Sequence, residues 1–254
     1  MPRRPVSTIG MRIEIEPLQT LPEVHRGDNL SELIREALVR EQRTLSGADI
    51  VAVAQKVVSK SEGAVADLRT IQPSQLAAQW AAQWKKDPRL IELILMQSKR
   101  IVKMDRGVLV AETRHGFVCA NAGVDQSNAG NENLALLLPN DPDGSARRLL
   151  GELGCGAVIV TDTFGRPWRE GLVDVAIGVA GMHALDDHRG RVDRDGRTLS
   201  STIVAVADQL AAAAGLAMRK AEGCPVIIIR GFEWERAPGG IAPVLRAPEQ
   251  DLFR

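Results

Sequence analysis

Tyrosine is absent from the 254 residues, and four Trp and four Phe are the only aromatics. So sparse a set offers little surface on which nucleic-acid bases could stack. A surplus of one charge is missing too: 32 Lys and Arg stand against 32 Asp and Glu, for a formal net charge of zero. A binder of phosphate backbones, which draws its affinity from clustered cations, is therefore not expected. Cysteine is scarce, with Cys119, Cys155 and Cys224 far apart and no C-x-x-C pair. An odd count at such spacing argues against a disulfide framework and for small apolar residues in a reduced compartment. No apolar run approaches the roughly 20 residues that cross a bilayer. The basic opening MPRRPVSTIG contains no apolar stretch of signal-peptide length. The expectation is a soluble, cytoplasmic protein with neither nucleic acid nor membrane among its partners.

What is present is ordinary globular material, 44% hydrophobic and 25% charged, long enough for one large domain or two small ones. Met11, Ile13 and Ile15 alternate, as a half-buried strand does. Leu30, Leu33, Ile34, Ala37 and Leu38 keep helical spacing behind a capping Asp28 or Asn29. Three apolar runs, 49–54, 157–161 and 225–229, read as buried strands. Residues 73–97 predict two helices, the second entered through Asp87-Pro88. Between 99 and 121, three short β-like runs separated by glycine-bearing turns predict an antiparallel meander. A helix is expected from Asp143 to Leu153, and a long Ala-rich one over 200–220. The tail 235–254, rich in Pro and Gly, reads as extended or loose. With no repeat of fixed period, the fold class expected is α+β: mixed sheets with an antiparallel meander and flanking helices.

Three polar clusters sit at or beside the ends of apolar strands. In Gln55-Lys56-Val57-Val58-Ser59-Lys60-Ser61-Glu62-Gly63, two lysines and two hydroxyls suit the charge of a polyphosphate. The spacing is not that of a P-loop, and a solvated turn explains the segment as well. The second cluster, 120–128, offers Asp125, Ser127 and Asn128 as oxygen donors of the kind a hard divalent cation takes. An Asx-turn loop is its plain alternative. The sharpest cluster is 161–169. Asp162 ends an apolar run, Thr163 adds an oxygen, and Arg166 and Arg169 carry guanidinium forks that match anionic oxygens. The haloacid-dehalogenase arrangement is excluded, since its second Asp is replaced by Phe164. Four histidines show no metal-ligand spacing, and Asp186, Asp187, Asp193 and Asp195 read as a solvated, Arg-interleaved loop. No nucleophile–base pair stands out, so covalent catalysis is not favoured.

Taken together, VAQKVVSKSEG (53–63), ANAGVDQSN (120–128) and TDTFGRPWREG (161–171) resemble the coenzyme F-420-0:L-glutamate ligase family. The likeness runs from LPEV (21–24) to PVIIIRG (225–231). The resemblance implies a single ligase domain over 1–254, with room for two subdomains, in a family-specific fold that forms an intertwined homodimer. It implies no C-terminal reductase domain. It places Leu21, Pro22, Glu23, Val24, Lys60 and Asn128 at a nucleotide, GTP. Gln55 stands where relatives often carry a small hydroxyl residue at that nucleotide. Asp125 and Asp162 would hold one Mg²⁺ or Mn²⁺ and Thr163 a second, with K⁺ as a further candidate cation. Arg166 and Arg169 are candidates for a substrate anion, and segment 218–223 resembles a nucleotide-proximal stretch.

The reaction so implied adds L-glutamate to F-420-0 through an acyl phosphate, with Asp125, Asp162 and Lys60 in the catalytic set. Such phosphoryl transfer is a problem of alignment and charge neutralisation, which needs no protein nucleophile. Two other functions fit the same polar clusters: a metal-dependent phosphohydrolase, and a nucleotide-binding protein without turnover.

Overall fold

The apolar runs come together as the middle of one sheet. The computed structural model describes residues 12–127, 130–219 and 223–251. In chain order come β1 (Glu14–Pro17), α1 (Leu30–Arg40), β2 (Ile50–Ala54), α2 (Gln55–Glu62), β3 (Val65–Asp67), α3 (Gln75–Trp84) and α4 (Pro88–Gln97). There follow β4 (Ser98–Asp105), β5 (Val108–Thr113), β6 (Val118–Ala120), β7 (Leu134–Leu136) and α5 (Pro142–Leu153). Last are β8 (Ala157–Arg166), β9 (Arg169–Ala180), β10 (Asp186–Asp187), β11 (Ile203–Val204), α6 (Val206–Met218) and β12 (Val226–Arg230).

Five strands form a mixed sheet in the order β1-β12-β2-β8-β9. β2 and β8 run parallel, bringing Ala54 beside Thr161, and the other neighbours are antiparallel. A parallel pair is covered on both faces, so its residues need not alternate. Accordingly Ile50, Val51, Ala52 and Val53, and Ala157 through Val160, are all fully buried. The meander β4-β5-β6 builds a second sheet beside α3 and α4. Its core holds Trp80, Ile91, Ile94, Leu109 and Val124, distinct from the cluster around the mixed sheet. The α+β organisation with a meander and flanking helices is thus observed. Asn29 caps α1, and Asp87 caps α4 ahead of Pro88, as the residue types require.

Several boundaries differ from expectation. β8 does not end at Asp162. It continues to Arg166 and turns back as β9, a 12-residue strand that the sequence did not suggest because Gly171, Asp174 and Gly178 interrupt its apolar pattern. Residues 55–62 form a helix rather than a turn, closed by Gly63 in the left-handed region. α5 is capped by Asp141 instead of starting at Asp143. The Ala-rich helix starts at Val206, because Ile203 and Val204 pair with Asp186 and Asp187 inside the stretch read as a solvated loop. The tail is packed rather than loose: Ile241 is buried and Gly239 bridges Ala180. Met11 lies outside the described residues. Cys119, Cys155 and Cys224 are buried and outside any disulfide. Among the described residues no helix is long and apolar enough to cross a membrane.

Candidate functional site

α2 leaves the end of β2 without a side-chain cap at Ala54, so its first N–H groups open beside Thr161 of the parallel strand. Its two lysines are four residues apart and share one face. Lys56 Nζ lies 2.6 Å from Asp125 Oδ2 and 3.0 Å from Ser127 Oγ. One turn on, Lys60 pairs with Glu23. The lysines therefore tie α2 to two of the sequence clusters, the 120–128 loop and the LPEV segment. Glu23 and Lys60, with Gln126, Ser127 and Glu132, line an open cleft of about 440 Å³.

Asp125 is held from both ends. Its backbone exchanges two hydrogen bonds with Leu136, N–H to O at 3.0 Å and O to N–H at 2.7 Å. Its carboxylate accepts the Ser127 N–H at 2.7 Å and the Ser127 hydroxyl at 2.9 Å. Just upstream, Asn121, Ala122 and Gly123 all have positive φ. Two of these carry side chains, at a cost of about 1–2 kcal/mol each. At Gly123 a Cβ would come within 2.6 Å of Leu138. This strained corner turns the chain from β6 into the approach to Lys56. Although burial opposes it, the Lys56 ammonium and the Ser127 donors hold the Asp125 carboxyl below its usual range.

Asp162 behaves differently. Burial pushes its carboxyl from 3.8 up to about 7. The Thr163 N–H and the Lys56 charge pull the other way, and the Asp125 and Asp174 charges add to the rise. A register shift immediately precedes it: Val160 pairs with Gly178 but Thr161 with Ala176, so β9 carries an extra residue. Such bulges re-aim side chains, here next to Asp162, and Asp208 of α6 accepts the Ala176 N–H at 3.0 Å. Burial, and after it the Asp162 charge, raises the Cys119 thiol to about 12, which makes that thiol a poor nucleophile.

Successive residues of a strand face opposite sides, and β8 shows it. Thr161 and Thr163 face α6: Thr161 Oγ1 lies 3.8 Å from Met218 Sδ, and Thr163 Oγ1 donates to Asp174 Oδ1 at 2.5 Å. Asp162 points the other way, into the field of Lys56 and Asp125. Asp162 and Thr163 thus address two different positions.

The remaining candidates are placed as follows. Leu21 and Val24 pack into the main core, while Pro22 and Glu23 are exposed. Gln55 is 1% exposed and its Oε1 accepts the Ser59 hydroxyl at 2.8 Å, so its side chain is engaged inside α2. Arg166 and Arg169 pair at the β8–β9 tip, four to seven residues beyond Asp162, and Arg166 donates to the Glu170 carbonyl at 3.1 Å. Asn128 and residues 220–222 lie outside the described residues. Lys56 was visible in the sequence only as one lysine of a cluster, its signal being the four-residue step to Lys60. Asp174, in an unrecognised strand, gave none beyond an isolated acid within Val173–Val175.

Among the described residues no three His, Cys, Asp or Glu side chains converge closely enough to hold an ion unaided. The charge balance nonetheless suits a cation that shares its shell with substrate oxygens. The Asp125 and Asp174 charges both act on Asp162, and Lys56 is the positive charge that opposes them. A partly buried carboxyl held near neutrality is short of positive charge, which a divalent cation would supply.

Residues 19–231 match the family model described as F420-0:Gamma-glutamyl ligase. A protein of Methanothermobacter thermautotrophicus named coenzyme F420:L-glutamate ligase is 47% identical over 252 residues, 96% of this chain and 100% of its own length. Proteins of the same name from Methanopyrus kandleri and Methanocaldococcus jannaschii are 46% and 40% identical, over 95% and 99% of this chain and 98% of their own lengths.

Proposed function

The chain belongs to the F420-0:gamma-glutamyl ligase family, and on that premise we propose that it joins L-glutamate to coenzyme F-420-0 at the expense of GTP. A carboxylate is inert towards an amine at neutral pH because its leaving group is too poor. Transfer of the γ-phosphoryl group to a carboxylate oxygen of the acceptor breaks the terminal P–O bond of GTP and releases GDP. It also leaves an acyl phosphate. The α-amine of glutamate, once deprotonated, attacks the acyl carbon, and phosphate departs with the C–O bonding pair as the amide forms.

The observation that carries the reading is the meeting of two acidic motifs and α2 at one lysine, Lys56, where the parallel strands end. On this reading Asp125 and Asp162 hold one Mg²⁺ or Mn²⁺ and Thr163 faces a second, with K⁺ a further candidate. Cations bound there supply charge neutralisation to the phosphate oxygens. Lys60 leaves Glu23 for the nucleotide, whose polyphosphate lies along the cleft bounded by Glu23 of the LPEV segment and by Gln126 and Ser127. Lys56 holds Asp125 in place and adds a fixed positive charge beside the transferring group. Arg166 and Arg169 receive an anionic group of a substrate. The proposal includes a homodimer, whose interface would cover the exposed Trp168 and Leu172 at the β8–β9 tip.

Mass spectrometry of F-420-0 incubated with the protein, glutamate, Mn²⁺ and GTP or ATP tests the reading. A glutamyl mass increment with GTP supports it, and a ladder of increments reveals processivity. Phosphate release without glutamate dependence would instead indicate the phosphohydrolase.

A further inference from the structure

We propose that Asp174 is a positioning residue of this site: it fixes the Thr163 hydroxyl so that the oxygen's lone pairs face a cation, and Gly215 of α6 reserves the space that its carboxylate occupies. The proposal rests on the reading of Thr163 as a cation ligand. Three independent features lead to it.

First, Thr163 and Asp174 are direct partners in the β8–β9 register, so the backbone ladder holds the two side chains together. Second, Thr163 Oγ1 donates its single proton to Asp174 Oδ1. A hydroxyl has one donor and two acceptor lone pairs. With the proton committed to a carboxylate, both lone pairs are left for an electrophile, and the oxygen becomes a better donor to a hard cation. Without the carboxylate the hydroxyl would be free to rotate and lose that orientation. Third, a Cβ built on Gly215 would stand 2.0 Å from Asp174 Oδ2 and 2.9 Å from its Cγ. Glycine is the poorest helix former after proline, and it occurs here in the interior of a helix otherwise made largely of Ala and Leu. Its φ is not in the left-handed region, so clearance for the Asp174 carboxylate is what the position requires. Asp208, two turns earlier on α6, binds the Ala176 N–H and fixes the helix along β9.

The test is Mn²⁺ titration by isothermal calorimetry in the presence of a saturating non-hydrolysable GTP analogue, with the melting temperature of each protein as a check on folding. The wild-type chain is expected to show two Mn²⁺ events, and Thr163→Val to lose the Thr163-dependent one. Asp174→Ala, which removes the acceptor that Asn would keep, should weaken that event about tenfold or more while changing the other less than twofold. Gly215→Ala, which leaves Asp174 in the chain but displaces its carboxylate, should weaken the same event. Should Asp174→Ala fail to fold, Gly215→Ala carries the test. In a Thr163→Val background, adding Asp174→Ala should leave the remaining event unchanged, because Asp174 acts through the hydroxyl.

Loss of the event in Thr163→Val together with full retention in Asp174→Ala, or in Gly215→Ala, would overturn the role of Asp174 and leave Thr163 as a ligand. A weakening of the remaining event when Asp174→Ala is added to Thr163→Val would overturn it as well. A single Mn²⁺ event that Thr163→Val does not alter would remove the cation at Thr163, and the proposal with it.

Discussion

Replacing Asp162 by Asn should make the metal-free protein more stable, by an amount that depends on pH in a defined way. The folded carboxyl is raised from 3.8 to about 7. At 1.36 kcal/mol per pH unit this corresponds to about 4 kcal/mol. Asp162 is only partly shielded from solvent, and screening reduces the figure to about 2 kcal/mol. The sign follows from which state holds the proton more tightly. Because the folded value is the higher, the Asp162 contribution to stability is fully present below about pH 4. It declines as pH rises and is lost by about pH 7, above which both states are ionised. Asn stays neutral throughout. The variant and the wild type should therefore be matched near pH 4 and diverge to about 2 kcal/mol by pH 8. For a chain of this size that is a rise of about 4–8 °C in melting temperature. Thermal melts in chelator-treated buffer between pH 4.5 and 8.5 measure it. With Mn²⁺ and GTP present the order should reverse, since the wild type gains ligand stabilisation that Asn forfeits. A stability difference that does not change with pH would refute the argument, because it would mean that Asp162 is not held near neutrality.

Three further outcomes follow from the same geometry. Lys56→Met should lower kcat/KM for ligation about 100-fold, through loss of a fixed positive charge near the phosphates. Its Mn²⁺ affinity should be unchanged or tighter, because Asp125 is released from the 2.6 Å ion pair; weaker Mn²⁺ binding by calorimetry would contradict this. Lys60→Ala should raise KM for GTP about tenfold or more, as expected for a lost charge-assisted hydrogen bond, with a smaller effect on KM for glutamate in steady-state kinetics. Gly178→Ala should lower stability by about 1–3 kcal/mol in denaturant melts, since the added Cβ would meet the Pro142 backbone at 2.4 Å.

The sequence was most readable where a single physical cause acts locally. The parallel strands announced themselves because burial on both faces excludes polar residues from Ile50–Val53 and Ala157–Val160. Asn29 and Asp87 announced helices because orphan N–H groups need an oxygen. The arm formed by β8 beyond Asp162 and by β9 was hidden, since its pairing is non-local and its residues are partly exposed, so no apolar period marks it. For the same reason TDTFGR reads as a polar burst after a strand. The helix at 55–62 was obscured by its lack of a cap, a consequence of entering directly from β2. Among the candidate site residues, Asp125, Asp162 and Lys60 could be singled out by type and position. Lys56 emerges as the hub only when the 120–128 loop folds back onto α2, and Asp174 only when β9 pairs with β8.

If the proposed function holds, Asp125 and Asp162 share one divalent cation with the triphosphate. Anomalous scattering at the manganese edge, from crystals grown with Mn²⁺ and a non-hydrolysable GTP analogue, tests it most directly. A strong peak is expected within coordination distance of one oxygen from each of the two carboxylates and of a phosphate oxygen. Manganese bound only elsewhere, with Lys56 still bridging towards Asp125 and no metal at Asp162, would contradict it.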